Sequence, residues 1–280
     1  MDVVSRLLFA KVSEALGEQF VIENRGGGGG TIGAGIVARA PADGYTVLYD
    51  STQFSVNPAL REGQLPYDTL RDFEPVFLSA VSANLLVVHP SVPARSVAEV
   101  IAIARAAPGG LDWASSGPGT LQHLLLEMFA RMAQVRLNHI PYRGGGPALT
   151  DVVGGRVKFY FGNAAATTAH VRSGAVRAIA HSGRGRLEAL PDLPPVSDTL
   201  PGFEGYDWNG VLVPAGTPRE IIERLNAALN AAARLPDVAE RLAALNLQMR
   251  ENRPEEFRAY LHGEIERWGR LVREAGIRAD

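Results

Sequence analysis

An α/β fold built on a mainly parallel sheet is predicted for this 280-residue chain by three observations. From Leu111 to Gly183 short apolar runs alternate regularly with helix-period segments. The connections between them are short and rich in glycine, which suits strand-to-helix turns. No fixed-period repeat is present, so a solenoid is excluded. Ligands of such sheets sit beyond the carboxyl ends of the strands, at the loops that lead into the helices.

Taken from the start, Val4, Leu8, Val12 and Ala15–Leu16 trace one face of an amphipathic helix that Gly17 stops. "QFVIEN" and "YTVLYD" read as strands around a short helix, Thr31 to Arg39, which "PADG" ends. The stretch from Phe54 to Phe73 has prolines and glycines without clear periodicity and reads as loop with helical turns. "EPVFLSAV" and "ANLLVVHP" are two further apolar runs, and Ser96 to Glu99 spell a capping box that starts the next helix.

Three strand–helix units follow. "LDWASS" leads through "GPG" into "TLQHLLLEMFARMA", "VRLNHIPY" through "RGGG" into "PALTDVVGG", and "RVKFYFGN" into "AAATTAHVRSG". "AVRAIAHS" closes the series, and the proline-rich stretch 184–207 reads as an extended connection. "WNGVLVPAG" reads as a strand, followed by Thr217-Pro218-Arg219-Glu220, a capping box with proline at the first helical position. Helices are expected near 218–233 and 236–245. A last helix, Pro254 to Ala275, sets Phe257, Leu261, Ile265, Trp268 and Val272 on one face as core residues.

Composition narrows the function classes. Hydrophobic residues are 46% and charged residues 21%, a globular profile that excludes general disorder. The length suits one large domain or two lobes of roughly 100–150 residues. A formal net charge of −2 supplies no strong field, so neither nucleic acid nor an anionic membrane is expected as a partner. The absence of cysteine excludes disulfides, thiolate nucleophiles and cysteine metal sites. No apolar run reaches the ~18 residues of a membrane-spanning helix. Charges at Asp2, Arg6, Lys11 and Glu14 interrupt the opening residues, which therefore do not read as a signal peptide.

Gly28-x-Gly30-x-x-Gly33, with Asp50 at the end of the next apolar run, has the spacing of a dinucleotide loop. That would make the chain an NAD-dependent oxidoreductase using Gly28, Gly30, Gly33 and Asp50. Against it, Asn24-Arg25 and extra glycines separate strand from helix, the helix is short, and no Tyr-x-x-x-Lys pair exists. There is no P-loop and no Gly-x-Ser-x-Gly elbow, so no catalytic residue is nominated and no cofactor is expected. None of the six histidines pairs with another at i, i+4 spacing, so no metal site is expected.

What remains are small-residue loops at strand ends: "DSTQ" (50–53), "SSGPGT" (115–120), "YRGGG" (142–146) and "GNAAATT" (162–168). Hydroxyls and glycine-exposed amides at helix N-termini make an anion site with no fixed cation, and phosphate or carboxylate would fit. Each loop alone is ordinary helix capping; four in one fold point to a small-anion cleft. Arg143 either pairs a second acidic group on the ligand or is a solvated surface arginine. His123 either braces its own loop or touches the ligand, and His181, ending a strand, poses the same choice.

Several segments carry a resemblance: "VIENRGGGGGTIGAGIVARAPADGYTVLY", "NPALREGQLPYDTLRDFEPV", "LLVVHPSVPARSVAEVIAIARAAPGGLDWASSGPGTLQHL", "HIPYRGGGPALTDVVGGRV" and "PAGTPREIIERLN". In order and nearly continuous from Asp2 to Asp280, they resemble the Bug-type solute receptors of tripartite tricarboxylate transporters. The resemblance implies a two-lobed type II periplasmic binding protein-like fold, with the ligand between two α/β lobes. Residues 1–85 plus 207–280 would form lobe one and 86–206 lobe two. The glycine loop then resembles the family's "NRPGAGGTIGA" element, with Gly26 in place of the usual proline, a change that should loosen it.

By the same resemblance, a ligand carboxylate is held by loop amides and ordered waters, which nominates Ser51, Thr52, Ser116, Gly119, Thr120 and Asn163. The motif lysine of "PYKG" is Arg143 here, which keeps the charge and alters the geometry. His123 joins the ligand-binding set from the strand-end reading. The implied protein is a periplasmic, monomeric, non-enzymatic receptor that delivers a small carboxylate to the membrane components of a tripartite transporter. A degenerate relative acting through a protein partner is a further alternative. Family members carry a signal sequence and then a strand ending in "PAGG-x-x-D"; Asp2 aligns with that last aspartate. The first strand of lobe one and its loop are therefore expected to be missing, either because the start site is placed too late or because the chain is N-terminally truncated; a truncated version is expected to be impaired in binding and stability.

Overall fold

A computed structural model describes residues 1–187, 190–244, 247–249 and 251–279. In chain order it begins with α1 (Asp2–Leu16), α2 (Thr31–Val37), β1 (Leu48–Ser51), α3 (Thr52–Leu60) and the long β2 (Phe73–Val88). Then come α4 (Val97–Arg105), β3 (Leu111–Ser115), α5 (Leu121–Ala133), β4 (Leu137–Pro141) and α6 (Gly145–Val153). β5 (Phe159–Asn163), α7 (Ala164–Arg172), β6 (Arg177–His181) and β7 (Tyr206–Pro214) follow. The chain finishes with α8 (Arg219–Arg234), α9 (Pro236–Ala244) and α10 (Pro254–Ala275). The chain divides into two compact units, Met1–Val81 with Trp208–Arg273, and Ser82–Asp207 with Glu274–Asp280. The division falls inside β2 and inside β7.

In unit 1, β1 pairs antiparallel with β7, Leu48 opposite Leu212 and Ser51 opposite Asn209. One core joins α1 to α8 through Leu8, Phe9, Val12, Leu225 and Leu229, with Val76, Phe77 and Val211 beneath them. α1 stops where Gly17 turns left-handed at φ 71°, a conformation with no steric cost for glycine. A second core packs Phe54, Tyr67, Phe73 and Trp208 against Phe257 and Leu261 of α10. Phe257 reaches β7 because residue 210 is glycine: a Cβ there would lie 2.3 Å from the phenyl Cζ.

In unit 2, β3 runs parallel to both β4 and β5. The later half of β2 runs antiparallel to β5 and β6. The sheet is thus mixed, because β2 enters it against the direction of the strand–helix units. Phe159 and Phe161 stack on Trp113, and Phe129 of α5 meets the same indole at a tilt, with centroid separations of 5.2–5.5 Å. These rings are buried, and aromatic side chains of this size bury large apolar areas.

The repeated units of 111–181 lie where periodicity places them, and half of the first capping box forms: Ser96 Oγ accepts the Glu99 amide, while the Glu99 carboxylate takes the Arg95 amide in place of that of Ser96. Several elements differ. "QFVIEN" forms no strand; Phe20 and Ile22 pack as partly buried side chains against the α1–α8 core while Val21 is 76% exposed. Alternation there reflects packing on a helix without a ladder partner. The stretch after Phe54 holds the end of helix α3, which contains Pro58, and then turns from Arg61 onward, close to the expected loop with helical turns. The two apolar runs of 74–90 are one strand. Pro218 caps α8 from outside it, and Thr217 Oγ1 donates to the Pro214 carbonyl, so the second capping box does not form. The expected helix end at Leu245 lies outside the described residues.

Replacing Gly210 by alanine should drive a methyl group into Phe257 and lower the unfolding free energy by about 1–3 kcal/mol. Urea denaturation of G210A measures it; a midpoint equal to wild type would mean that the ring is not seated on β7.

Candidate functional site

The parallel arrangement of β3, β4 and β5 sets three strand ends along one edge of unit 2. Ser115 stands opposite Pro141, and Ala114 opposite Tyr160. The loops beyond them are stitched together by backbone: the Tyr142 amide donates to the Ser115 carbonyl at 3.0 Å, and the Gly144 amide to the Ser116 carbonyl at 3.1 Å. Ser116 Oγ lies 2.9 Å from the Tyr160 hydroxyl. Burial pushes that phenol up to about 12, while its hydrogen bond to Ser116 pulls the other way and the charge of Asp207 adds to the rise. Gly145 fits because any Cβ would stand 3.1 Å from the same hydroxyl.

Of the residues nominated from sequence, Ser116, Gly119, Thr120, Arg143, His123 and Asn163 all lie at this edge. Their present engagements differ. Thr120 Oγ1 donates to the Gly117 carbonyl at 2.7 Å, tightening the turn into the 13-residue helix α5. The Gly119 amide donates to His123 Nδ1 at 3.1 Å, so in this geometry the imidazole braces its own loop. His123 also stacks on His139 with centroids 3.7 Å apart, and His139 Nε2 meets Ser115 Oγ at 2.5 Å. Asn163 caps α7 through its Oδ1, which accepts the Ala165 amide at 2.9 Å. Arg143 is exposed, with no hydrogen-bond or ion-pair partner among the described residues. His181 is buried, which lowers its pKa, and its Nδ1 accepts the Gly183 amide, a bracing role like that of His123.

Sequence reasoning missed a polar cluster at the same edge. Asp207 Oδ2 accepts from Asn84 Nδ2 at 2.9 Å, from Asn163 Nδ2 at 2.9 Å and, at longer range, from Gln122 Nε2 at 3.4 Å. Gln122 Nε2 also donates to Asn84 Oδ1 at 2.8 Å. Asn84 and Gln122 are buried amides inside apolar segments, β2 and the first turn of α5. That placement was the available signal, since a buried amide must find partners.

In unit 1, Ser51 caps α3 and Thr52 is its first residue. The Thr52 hydroxyl accepts the Trp208 amide at 2.9 Å, and the Ser51 amide donates to Asp50 Oδ1 at 2.8 Å. The glycine run packs on this carboxylate: a Cβ on Gly30 would lie 3.2 Å from both Asp50 oxygens. Gly27 to Gly30 all have positive φ, from 58° to 125°, and the Gly29 carbonyl accepts Asn57 Nδ2 at 2.9 Å. The glycines thus serve a turn laid over Asp50 and α3. The dinucleotide alternative is not supported: no strand leads into this turn, and α2 has only seven residues. Among the described residues no cluster of three metal-ligating side chains occurs, and no helix is long and apolar enough to cross a membrane.

Residues 4–277 match the family model described as "Tripartite tricarboxylate transporter family receptor". The chain is 39% identical to a UPF0065 protein from the tcbD–tcbE intergenic region of Pseudomonas sp. strain P51, over 100% of this chain and 84% of that protein. It is 34% identical to protein BugT of Bordetella pertussis, over 99% and 86% of the two chains. Among solved structures it is similar to R. palustris Rpa4515 with adipate, at a TM-score of 0.87 and 34% identity, covering 99% of this chain and 93% of that one. MatC from Rhodopseudomonas palustris with bound malate superposes at a TM-score of 0.82 with 31% identity, over 97% and 94%.

Burial pushes the Asp50 carboxyl from 3.8 up to about 7, against the opposing pull of the Ser51 amide. A carboxyl raised in the folded state binds its proton more tightly there than in the unfolded chain. Its contribution to stability is therefore full below about pH 4 and is lost as pH rises to about 7. Asp50→Asn should remove this dependence. The difference in unfolding free energy between variant and wild type should move in the variant's favour by about 1 kcal/mol per pH unit between pH 5 and 7. Parallel curves across that window would show that Asp50 does not titrate there.

Proposed function

Because the chain belongs to the tripartite tricarboxylate transporter receptor family, we propose that it captures a small carboxylate and passes it to the membrane components of such a transporter. It is a solute-binding receptor, and the relatives solved with adipate and malate carry ligands of this chemistry. The observation that carries the reading is the composition of the loops: hydroxyls, glycine amides and helix N-termini, with Arg143 as the one long cation among the nominated residues. Such groups replace the hydration of a carboxylate at modest cost and release it readily.

The contacts assigned to the ligand lie at the strand-end edge of unit 2: Ser116, Gly119, Thr120 and Arg143. His123 and Asn163 contribute by holding the α5 and α7 loops in shape. No bond is made or broken in this role, so the reading is non-enzymatic. It places the protein in the periplasm, acting as a monomer.

Thermal unfolding in the presence of adipate, malate, citrate, succinate or NAD separates this reading from the oxidoreductase. At a hundredfold excess over its Kd a bound acid contributes about 2.7 kcal/mol and should raise the Tm by several degrees, whereas NAD should leave it unchanged. Ser116→Ala should weaken the acid that binds roughly tenfold, as loss of a hydrogen bond to a charged group does. A shift with NAD and none with any acid would overturn the proposal.

A further inference from the structure

The cluster around Asp207 carries an inference that rests on the receptor reading and refines its ligand. Three amides from three elements of unit 2, Asn84 on β2, Gln122 on α5 and Asn163 at the end of β5, all present N–H groups to the same oxygen, Oδ2. Their orientation is set by their other ends. Asn84 Oδ1 is occupied by Gln122, and Asn163 Oδ1 by the Ala165 amide. None of the described hydrogen bonds reaches Asp207 Oδ1, and the residue is partly exposed. No arginine, lysine or histidine among the described residues forms an ion pair with it.

An aspartate so held is a costly choice for bracing alone. Burial raises its pKa, and the hydrogen bonds from Asn163, Asn84 and Gln122 oppose that rise by favouring the ionised form. A neutral amide or hydroxyl at this position would brace β2 and β5 without a charge to desolvate. What the carboxylate adds is a fixed acceptor, Oδ1, beside the first turns of α5 and α7 and near Tyr160, which bonds Ser116.

We propose that Asp207 determines specificity: it selects acids that carry an O–H or N–H donor next to the carboxylate, hydroxy or amino acids, over their unsubstituted counterparts. The donor bonds Oδ1 while the strand-end loops take the ligand carboxylate. The hydroxyl adds a hydrogen bond to a charged acceptor, and an ammonium adds charge complementarity as well.

Calorimetry on the full chain with two matched series tests this. Succinate, malate and aspartate differ only at one carbon, as do glutarate, 2-hydroxyglutarate and glutamate. In whichever series binds, the hydroxy or amino acid should bind at least about tenfold more tightly than the unsubstituted acid. A better hydroxy acid assigns the donor as O–H, a better amino acid as ammonium, and either result supports the proposal. In Asp207→Asn the amide oxygen turns to the three donors and its NH2 takes the place of Oδ1, so the preference should collapse to within about threefold or reverse. Asp207→Ala, with ligand-free melting as a folding control, should lose the preference without reversing it. Equal binding of substituted and unsubstituted acids by wild type, or a preference that survives both substitutions, would overturn the assignment while leaving the receptor reading intact. Failure of all six acids together with the acids of the thermal panel would overturn both.

Discussion

Parallel pairing of β3 with β4 on one side and β5 on the other is the constraint from which the site follows. Strands aligned in one direction finish together, so the segments after Ser115, Pro141 and Asn163 emerge along one edge. Each then turns into a helix, and the first-turn amides of each helix lack intrahelical acceptors. The hydrogen bonds from Tyr142 and Gly144 back to Ser115 and Ser116 tie two of these loops into one surface. The edge proposed to bind an anion is thus a result of topology first, and of side-chain identity second.

Side chains then decide what kind of anion site it is. The histidines and Asn163 spend their hydrogen bonds on the loops, with His123 holding the Gly119 amide and Asn163 capping α7. Hydroxyls and peptide groups, together with the exposed guanidinium of Arg143, are the chemistry proposed to meet the ligand. Asp207 works in the opposite sense, placing an acceptor among donors. A site with both signs of hydrogen-bonding partner can distinguish between acids that a uniformly positive site would take alike.

Much of this was legible in the residues, for physical reasons that differ by element. The strand–helix units of 111–181 were readable because each apolar run is short and each connection is built of Gly, Ser and Pro, the residues such turns require. The 16-residue β2 was not readable as one strand, because Ser82 separates its two apolar runs and Ser79 and Asn84 add polar groups within them. Those interruptions are themselves satisfied groups: Ser79 donates to the Asn209 carbonyl and meets the Tyr49 hydroxyl, and Asn84 joins the Asp207 cluster. The cluster escaped for the same reason, since its members are 38 to 123 residues apart in the chain and converge only in the fold. Local pattern reports what a residue does to its neighbours in sequence; Asp207 acts on neighbours in space.

The glycine turn over Asp50 shows how exposure and freedom to vary can part company. Gly28 and Gly29 face solvent, where substitutions are ordinarily harmless. Their left-handed backbone, shared with Gly27 and Gly30, taxes every side chain larger than hydrogen, and at Gly30 the carboxylate adds a steric wall. Drift in this region should therefore proceed around the turn and not through it, leaving a frozen patch on an otherwise permissive surface.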